Sequence, residues 1–270
     1  MRVLVIGCGY MGRIHSANLS KLGVEVIQYD VARERCNNYV DNVLDHPVDM
    51  IVIATPIETH YQVFSRMYEY YGKRVCYFIE KTVKATLEQF QEIVKIDGNV
   101  FVGHQLRYSK FYALIKSEIN SRSNFEVYMM VHSPSHPGVG LILDTGIHFI
   151  DLPTYYLGPP RNFEVRGNKN SFNLILHYDR GVWIIKGELK DYYRIEFSVN
   201  EKQGISDGRS LTFGGNLFQD VDVYYEEMKD VVNYIRNRDG GLEKPRISLQ
   251  NLIKTYELAF EIYSSLSQNQ

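Results

Sequence analysis

The chain has only three cysteines in 270 residues, together with one tryptophan and eight prolines. Cys8, Cys36 and Cys76 lie far apart, are odd in number and show no CxxC spacing. That pattern argues against a zinc knuckle and suits a reducing compartment, so all three read as packing residues. No basic run or tail marks a nucleic-acid surface, and the formal net charge is −2. No apolar stretch approaches the ~18 residues that a bilayer span needs. The opening MRVLVIGCGY has one arginine followed by glycines, where a signal peptide would have a long apolar centre. These absences predict a cytoplasmic protein without nucleic-acid or membrane partners. What is present is ordinary for a globular chain, with 44% hydrophobic and 23% charged residues. The length suits two modest domains or one large one.

The first hundred residues alternate. RVLVIG, VEVIQYD, DMIVIAT, VCYFIEK and NVFVGHQ are short runs, apolar on both faces, as buried parallel strands are. THYQVFSRMYEYYG between them places Val63, Phe64, Met67 and Tyr71 on one helical stripe. TLEQFQEIVKIDG has Thr86 and Gln89 at capping-box spacing, an apolar stripe of Leu87, Phe90, Ile93 and Val94, and Gly98 at its close. Alternation of this kind predicts a doubly wound α/β domain. Gly7, Gly9 and Gly12 follow the first strand and open a helix, and Asp30 ends the second strand, 18 residues after Gly12. A GxGxxG loop alone is a weak signal; in this context it reads as a dinucleotide cradle rather than a plain turn. Gly7 permits the turn, Gly9 admits the pyrophosphate and Gly12 lets the helix pack on the sheet. Free N–H groups at the helix start favour phosphate. Asp30 can accept from both ribose hydroxyls and repels a 2′-phosphate; Val31 and Ala32 bring no countercharge. NAD is therefore favoured over NADP, with Arg33 expected on the next helix or over the adenine.

Beyond about Leu106 the pattern changes. FEVYMMVH, SFNLILHYD, GVWIIKGEL and YRIEFSV read as longer strands of a mostly antiparallel sheet. Phe172, Leu174, Leu176 and Tyr178 share one face; Asn173, Ile175, His177 and Asp179 share the other. Asp179-Arg180-Gly181 reads as a hairpin turn. Two helices close the chain, the last with Leu249, Leu252, Ile253, Tyr256, Phe260 and Tyr263 on one stripe. The expected division is 1–106, a Rossmann domain, and 107–270, an α+β domain with an open-faced sheet. The mixed face, with Ile175, Val182 and Ile184, is expected to be buried between subunits of a homodimer or homotetramer.

The chemistry concentrates in LILDTGIHFIDLPTYYLG. Asp144 reads as an N-cap, with His148 four and Asp151 seven residues on, all leaning to one face. Oxidation of an alcohol needs a base for the hydroxyl proton, and histidine titrates near neutrality. The plain alternative makes Asp144 a cap and His148 a packed residue. Lys81 ends a strand at the sheet edge that carries the glycine loop, where it can stabilise a developing alkoxide; alone, it would read as a solvated strand end.

Taken together, these segments resemble the glucose–fructose oxidoreductase, inositol dehydrogenase and rhizopine-catabolism (Gfo/Idh/MocA) family over almost the whole chain. GCGYMGRIHSANL is similar to its GxGxxGxxH opening, which places His15. ATPIETHYQV is similar to its TP…H segment, with Thr55, Pro56 and His60. EKT stands where Glu-Lys-Pro is usual, GHQLRYS is similar to the strand bearing Arg and an aromatic, and DTGIHFID to DxGxHxxD. The resemblance implies an NAD(P)-dependent dehydrogenase that moves a hydride to or from a hydroxyl carbon of a sugar, cyclitol or nucleotide sugar. It implies Lys81, Asp144 and His148 as catalytic residues, converging near the nicotinamide in the cleft between domains. It implies cofactor contacts from Gly7, Gly9, Tyr10, Met11, Gly12, Asp30, Arg33, Thr55, Pro56, His60, Glu80, Lys81 and Arg107. Tyr108 goes with Arg107, and Asp151 supports the site. Thr82 in place of proline is the departure, and it bears on the backbone at Lys81. GHQLRYSKFYALIKSEI is similar to members that oxidise nucleotide-linked amino sugars. Two other readings are a non-catalytic dinucleotide sensor and a metal-dependent hydrolase using Asp144, His148 and Asp151; the second leaves the glycine loop unexplained.

Overall fold

A computed structural model describes residues 1–83, 87–96, 99–119, 123–131, 139–179, 181–207, 210–238 and 243–268. The expected cap at Thr86, the closing Gly98 and the centre of the 179–181 turn, Arg180, fall outside the described residues. The chain packs as two compact units, Met1–Gln105 with Asp222–Asn251, and Leu106–Val221 with Leu252–Gln270. The linear division at 106/107 thus differs by one returning segment, which packs with the first unit.

The first unit is a parallel sheet of β1 (Arg2–Ile6), β2 (Glu25–Tyr29), β3 (Met50–Ile53), β4 (Cys76–Ile79) and β5 (Val100–Val102), in the order β2-β1-β3-β4-β5. β1, β3, β4 and β5 are buried almost throughout, which explains their unbroken apolar runs. The crossover helices are α1 (Tyr10–Lys21), α2 (His60–Tyr71) and α3 (Leu87–Val94). α2 buries Phe64, Met67 and Tyr71, as its stripe predicts. The strand order reverses between β1 and β3, so the loops after those strands flank the switch point where open α/β sheets bind ligands.

The second unit carries α4 (Lys110–Glu118), β6 (Phe125–Val131), α5 (Gly140–Asp144), α6 (Gly146–Leu157), β7 (Asn162–Asn168), β8 (Ser171–His177), β9 (Val182–Leu189), β10 (Arg194–Val199), β11 (Lys202–Ser206), β12 (Ser210–Phe213) and β13 (Asn216–Gln219). Its eight strands run β13-β12-β11-β10-β6-β9-β8-β7, antiparallel except for the parallel β6–β9 pair. The chain returns to the first unit through α7 (Val223–Asn237) and ends in the second with α8 (Ile253–Gln268). One sheet face buries Phe172, Leu174, Leu176, Trp183 and Ile185, and Trp183 stacks on Phe125 at 4.2 Å. The opposite face bears a depression of about 580 Å³ lined in part by Glu126, Tyr128, Lys186, Glu196 and Ile205. α8 buries Tyr256, Ala259, Ile262 and Leu266, while Phe260 and Tyr263 are only half-buried. Leu249, Leu252 and Tyr256 of the expected stripe are buried, but beyond them the buried row runs through Ala259, Ile262 and Leu266, where α8 packs on α6 and β7. Among the described residues no helix is long and apolar enough to cross a membrane.

Asp151 is the polar anchor of the second unit. Its fully enclosed carboxylate accepts from Arg107 (Nε 2.8 Å, Nη2 2.5 Å), from the Tyr112 hydroxyl at 3.2 Å and from Thr255 at 2.7 Å. One side chain thus ties α6 to α4, α8 and the turn holding Arg107. Burial works against the Arg107 charge, but Asp151 outweighs it and the guanidinium stays charged. Asp151→Ala should cost about 3–5 kcal/mol, because it strips a buried cation of its counterion. A fall in the urea midpoint checks this; a loss below about 1 kcal/mol would contradict it.

Candidate dinucleotide and catalytic site

The glycine loop is built as its spacing requires. Gly7 has φ +98°, and a Cβ there would meet Ala54 O at 2.5 Å; a Cβ on Gly12 would meet Gly7 O at 1.7 Å. A Cβ on Gly9 would meet nothing within 4 Å. Two glycines thus close the turn, and the third leaves open space at the start of α1, where N–H groups lack helical partners. This cradle fits a pyrophosphate. Tyr10 is largely exposed and Met11 half-buried at the same helix start.

Asp30 organises the neighbouring turn. Its Oδ2 accepts from Cys8 N at 2.7 Å and its Oδ1 from Ala32 N at 2.9 Å. A carboxylate oxygen has two lone pairs, so each oxygen keeps one for a ribose hydroxyl. Arg33 lies in a short 3₁₀ turn, Arg33–Arg35, with its guanidinium 4.9 Å from the Tyr39 ring centre and 3.7 Å from Asp41.

The cysteines require a correction. Cys8 and Cys36 form a disulfide, and only Cys76 is free. Sequence separation hid this: β1 and β2 are adjacent parallel strands, so the loops at their carboxyl ends meet. The spacing argument for a reducing compartment therefore loses its support.

At the ends of β3 and β4, His60 is buried, with Nε2 2.8 Å from Thr55 O and Nδ1 3.2 Å from Thr82 O. It links the Thr55-Pro56 turn to the residue after Lys81. The Lys81–Thr82 peptide bond is cis. Lys81 is half-buried, and its N–H donates to Glu80 Oε2 at 3.2 Å. Glu80 also accepts from His15 Nε2 at 2.5 Å. Burial would raise the Glu80 carboxyl, but His15, Lys81 and His60 together outweigh it, and the net shift is downward.

Glu227 of α7 was not among the expected residues. It is fully buried, its Oε1 accepts from His104 N at 2.7 Å, and its Oε2 has no hydrogen-bond partner among the described residues. Burial first, then the charge of Glu80, holds it protonated well above 4.5. A signal existed: Glu227 falls on the apolar stripe of α7, one turn before Val231.

In the second unit Asp144 does not cap the helix that carries His148. It ends α5; Thr145 occupies the junction, and α6 begins at Gly146. Thr145 N donates to Leu141 O at 3.1 Å and so keeps Asp144 inside the last turn of α5, while the β7–β8 turn holds the start of α5, accepting from Ile142 N at Lys169 O (3.1 Å) and from Leu141 N at Asn170 Oδ1 (3.2 Å). Asp144 and His148 are both buried, and the His148 carbonyl accepts from the Tyr112 hydroxyl at 2.5 Å. Burial, with a contribution from Asp144, pushes the Tyr193 hydroxyl up to about 12. Nothing in the sequence pointed to Tyr193. Arg107 and Asp151 are committed to each other as described above.

No protein-family model matches the chain. Inositol 2-dehydrogenase 2 of Saccharopolyspora erythraea is 28% identical over 187 residues, covering 58% of this chain and 54% of the relative. The match thus spans about half of that protein. The UDP-N-acetylglucosamine 3-dehydrogenase GnnA of Acidithiobacillus ferrooxidans superposes with TM-score 0.79 at 17% identity, over 98% of this chain and 97% of its own. A protein of gentamicin A biosynthesis, solved in complex with NAD, gives TM-score 0.76 at 14% identity, over 100% and 95%. The fold is that of the Gfo/Idh/MocA oxidoreductases. The resemblance carried by the motifs holds at the level of the fold, from the glycine loop to the closing helices.

Glu227 gives a pH test. Its folded-state pKa lies above the ordinary 4.5, so the folded form pays increasingly as pH rises from 4.5 toward the raised value. Glu227→Gln keeps an acceptor for His104 N and removes the titration. Its stability relative to the native protein should grow between about pH 5 and 8 in urea unfolding; parallel curves would contradict this.

Proposed function

We propose that the chain is a nicotinamide-dinucleotide-dependent dehydrogenase acting on a hydroxyl carbon of a sugar, cyclitol or nucleotide sugar. The observation that carries the proposal is the glycine cradle at the β1/β3 switch point beside Asp30. Gly7, Gly9, Gly12 and the first turn of α1 hold the pyrophosphate, and Asp30 holds the adenosine ribose, which favours NAD. A bound nicotinamide supplies the hydride acceptor or donor. His148 takes the proton of the substrate hydroxyl, while Lys81 and Asp144 hold its oxygen and stabilise the charge that develops there. Glu80 and His60 fix the backbone on either side of Lys81. Arg107 serves through Asp151. The relatives' named substrates, a cyclitol and a nucleotide sugar, support that substrate class.

The test is NADH formation with a panel of cyclitols, aldoses and nucleotide sugars. His148→Ala and Lys81→Ala should each slow turnover by about 10²–10⁴-fold and leave NAD binding nearly intact. Native turnover in either variant would remove that residue from the chemistry, and inertness toward the whole panel would favour a dinucleotide sensor. Clear preference for NADP would overturn the role of Asp30.

The second unit's open face is proposed as a subunit interface. Ile205 is 40% and Leu217 70% exposed on the two strands that flank β12, and covering such area is favourable by about 25 cal/mol per Å². Light scattering at micromolar concentration should give a dimer or tetramer; a monomer would contradict the assignment.

A further inference from the structure

We propose that the Cys8–Cys36 disulfide is a reversible thiol–disulfide exchange site that sets how tightly the first unit holds the adenosine half of its dinucleotide. The proposal rests on the dinucleotide reading above and adds a control to the same site.

The bridge lies inside the cradle. Cys8 stands between Gly7 and Gly9, and Cys36 closes the 3₁₀ turn Arg33–Arg35. Asp30 joins the same two segments through Cys8 N and Ala32 N. A ribose bound by Asp30 therefore lies beside the disulfide. The downstream segment has a separate anchor in Gln28 of β2. The Gln28 side-chain oxygen accepts from Asn37 N (2.8 Å) and Asn38 N (3.1 Å), and its main chain pairs with Asn38 and Val40. Residues 33–36 have only internal main-chain bonds among those described, Arg35 N to Ala32 O and Cys36 N to Arg33 O. Opening the bridge leaves 37–40 and the Asp30 clamp at Ala32 in place and removes the covalent tie between Cys36, at the far end of the turn that carries Arg33, and the glycine loop.

Access makes the exchange directional. Cys8 is fully enclosed and Cys36 is partly exposed, so an incoming thiolate reaches Cys36 Sγ. The reductant is a dithiol. One of its thiolates attacks Cys36 Sγ; an S–S bond forms there as the Cys8–Cys36 bond breaks. Cys8 leaves as a thiolate and then takes a proton. The second thiol of the reductant attacks the mixed disulfide and releases Cys36. Two electrons and two protons pass to the protein, and the reductant becomes a disulfide. An oxidised dithiol reverses the sequence. Where protein disulfides occur in a reducing compartment, they are commonly transient or redox-sensing.

The test uses the full chain in two states, one treated with an oxidised dithiol and one with dithiothreitol. Alkylation in denaturant should count one thiol, Cys76, in the first state and three in the second. NADH titrated by calorimetry should bind about tenfold more weakly to the reduced protein, the scale of one lost ordering contact. Cys36→Ser should bind like the reduced protein whether or not dithiothreitol is present. Three thiols after oxidation, equal or tighter affinity in the reduced state, or a Cys36→Ser variant with the affinity of the oxidised protein would each overturn the proposal. If neither state binds NADH or NADPH, the dinucleotide reading falls and the proposal falls with it. If both states bind equally, only the redox control falls.

Discussion

The carboxylate of Asp30 holds two backbone N–H groups at once, and the candidate dinucleotide site depends on that clamp. Cys8 belongs to the loop after β1 and Ala32 to the loop after β2. Parallel pairing brings the two strand ends side by side, but pairing alone does not fix the loops. A charged acceptor for two main-chain donors does, because such bonds are stronger than neutral ones. In the proposed function the same carboxylate that shapes the cradle also accepts from the ribose, so that one residue would set both shape and recognition.

Each unit also encloses charge, and the two do so differently. In the second, Arg107 and Asp151 neutralise each other within a net of hydrogen bonds, an arrangement that fixes α6 and with it His148. In the first, His15 helps hold the Glu80 carboxyl below its usual range, while burial holds the Glu227 carboxyl well above it. Two carboxyls whose surroundings push their titrations apart often mark a working site. Here they flank the end of β5, Glu80 lying against Gly103 and Glu227 accepting from His104 N.

The first unit was legible because a parallel sheet covered by helices turns its strands into unbroken apolar runs, and because the glycine loop needs particular residues at particular places. The second was legible only in its buried strands. β7 and β13 are edge strands with mostly exposed residues, and their sequences carry no alternation strong enough to read. The break between α5 and α6 was hidden for a different reason. LILDTGIHFID has no strong helix breaker ahead of Gly146, and the contacts that fix the start of α5 come from the distant Lys169-Asn170 turn. The disulfide and Tyr193 were illegible because both depend on neighbours far away in the chain.

The dinucleotide cradle is the central claim, and Gly9 isolates it from folding. Gly9 has extended backbone, φ −72° and ψ −159°, and a Cβ there meets nothing within 4 Å. A larger side chain is therefore compatible with the fold and fills the space through which a pyrophosphate would approach the loop. Calorimetric titration of NADH into the native protein and Gly9→Val, with thermal unfolding of each, makes the measurement. The account predicts an unchanged unfolding temperature and affinity lower by about tenfold or more. Equal affinity in a folded Gly9→Val protein would contradict it.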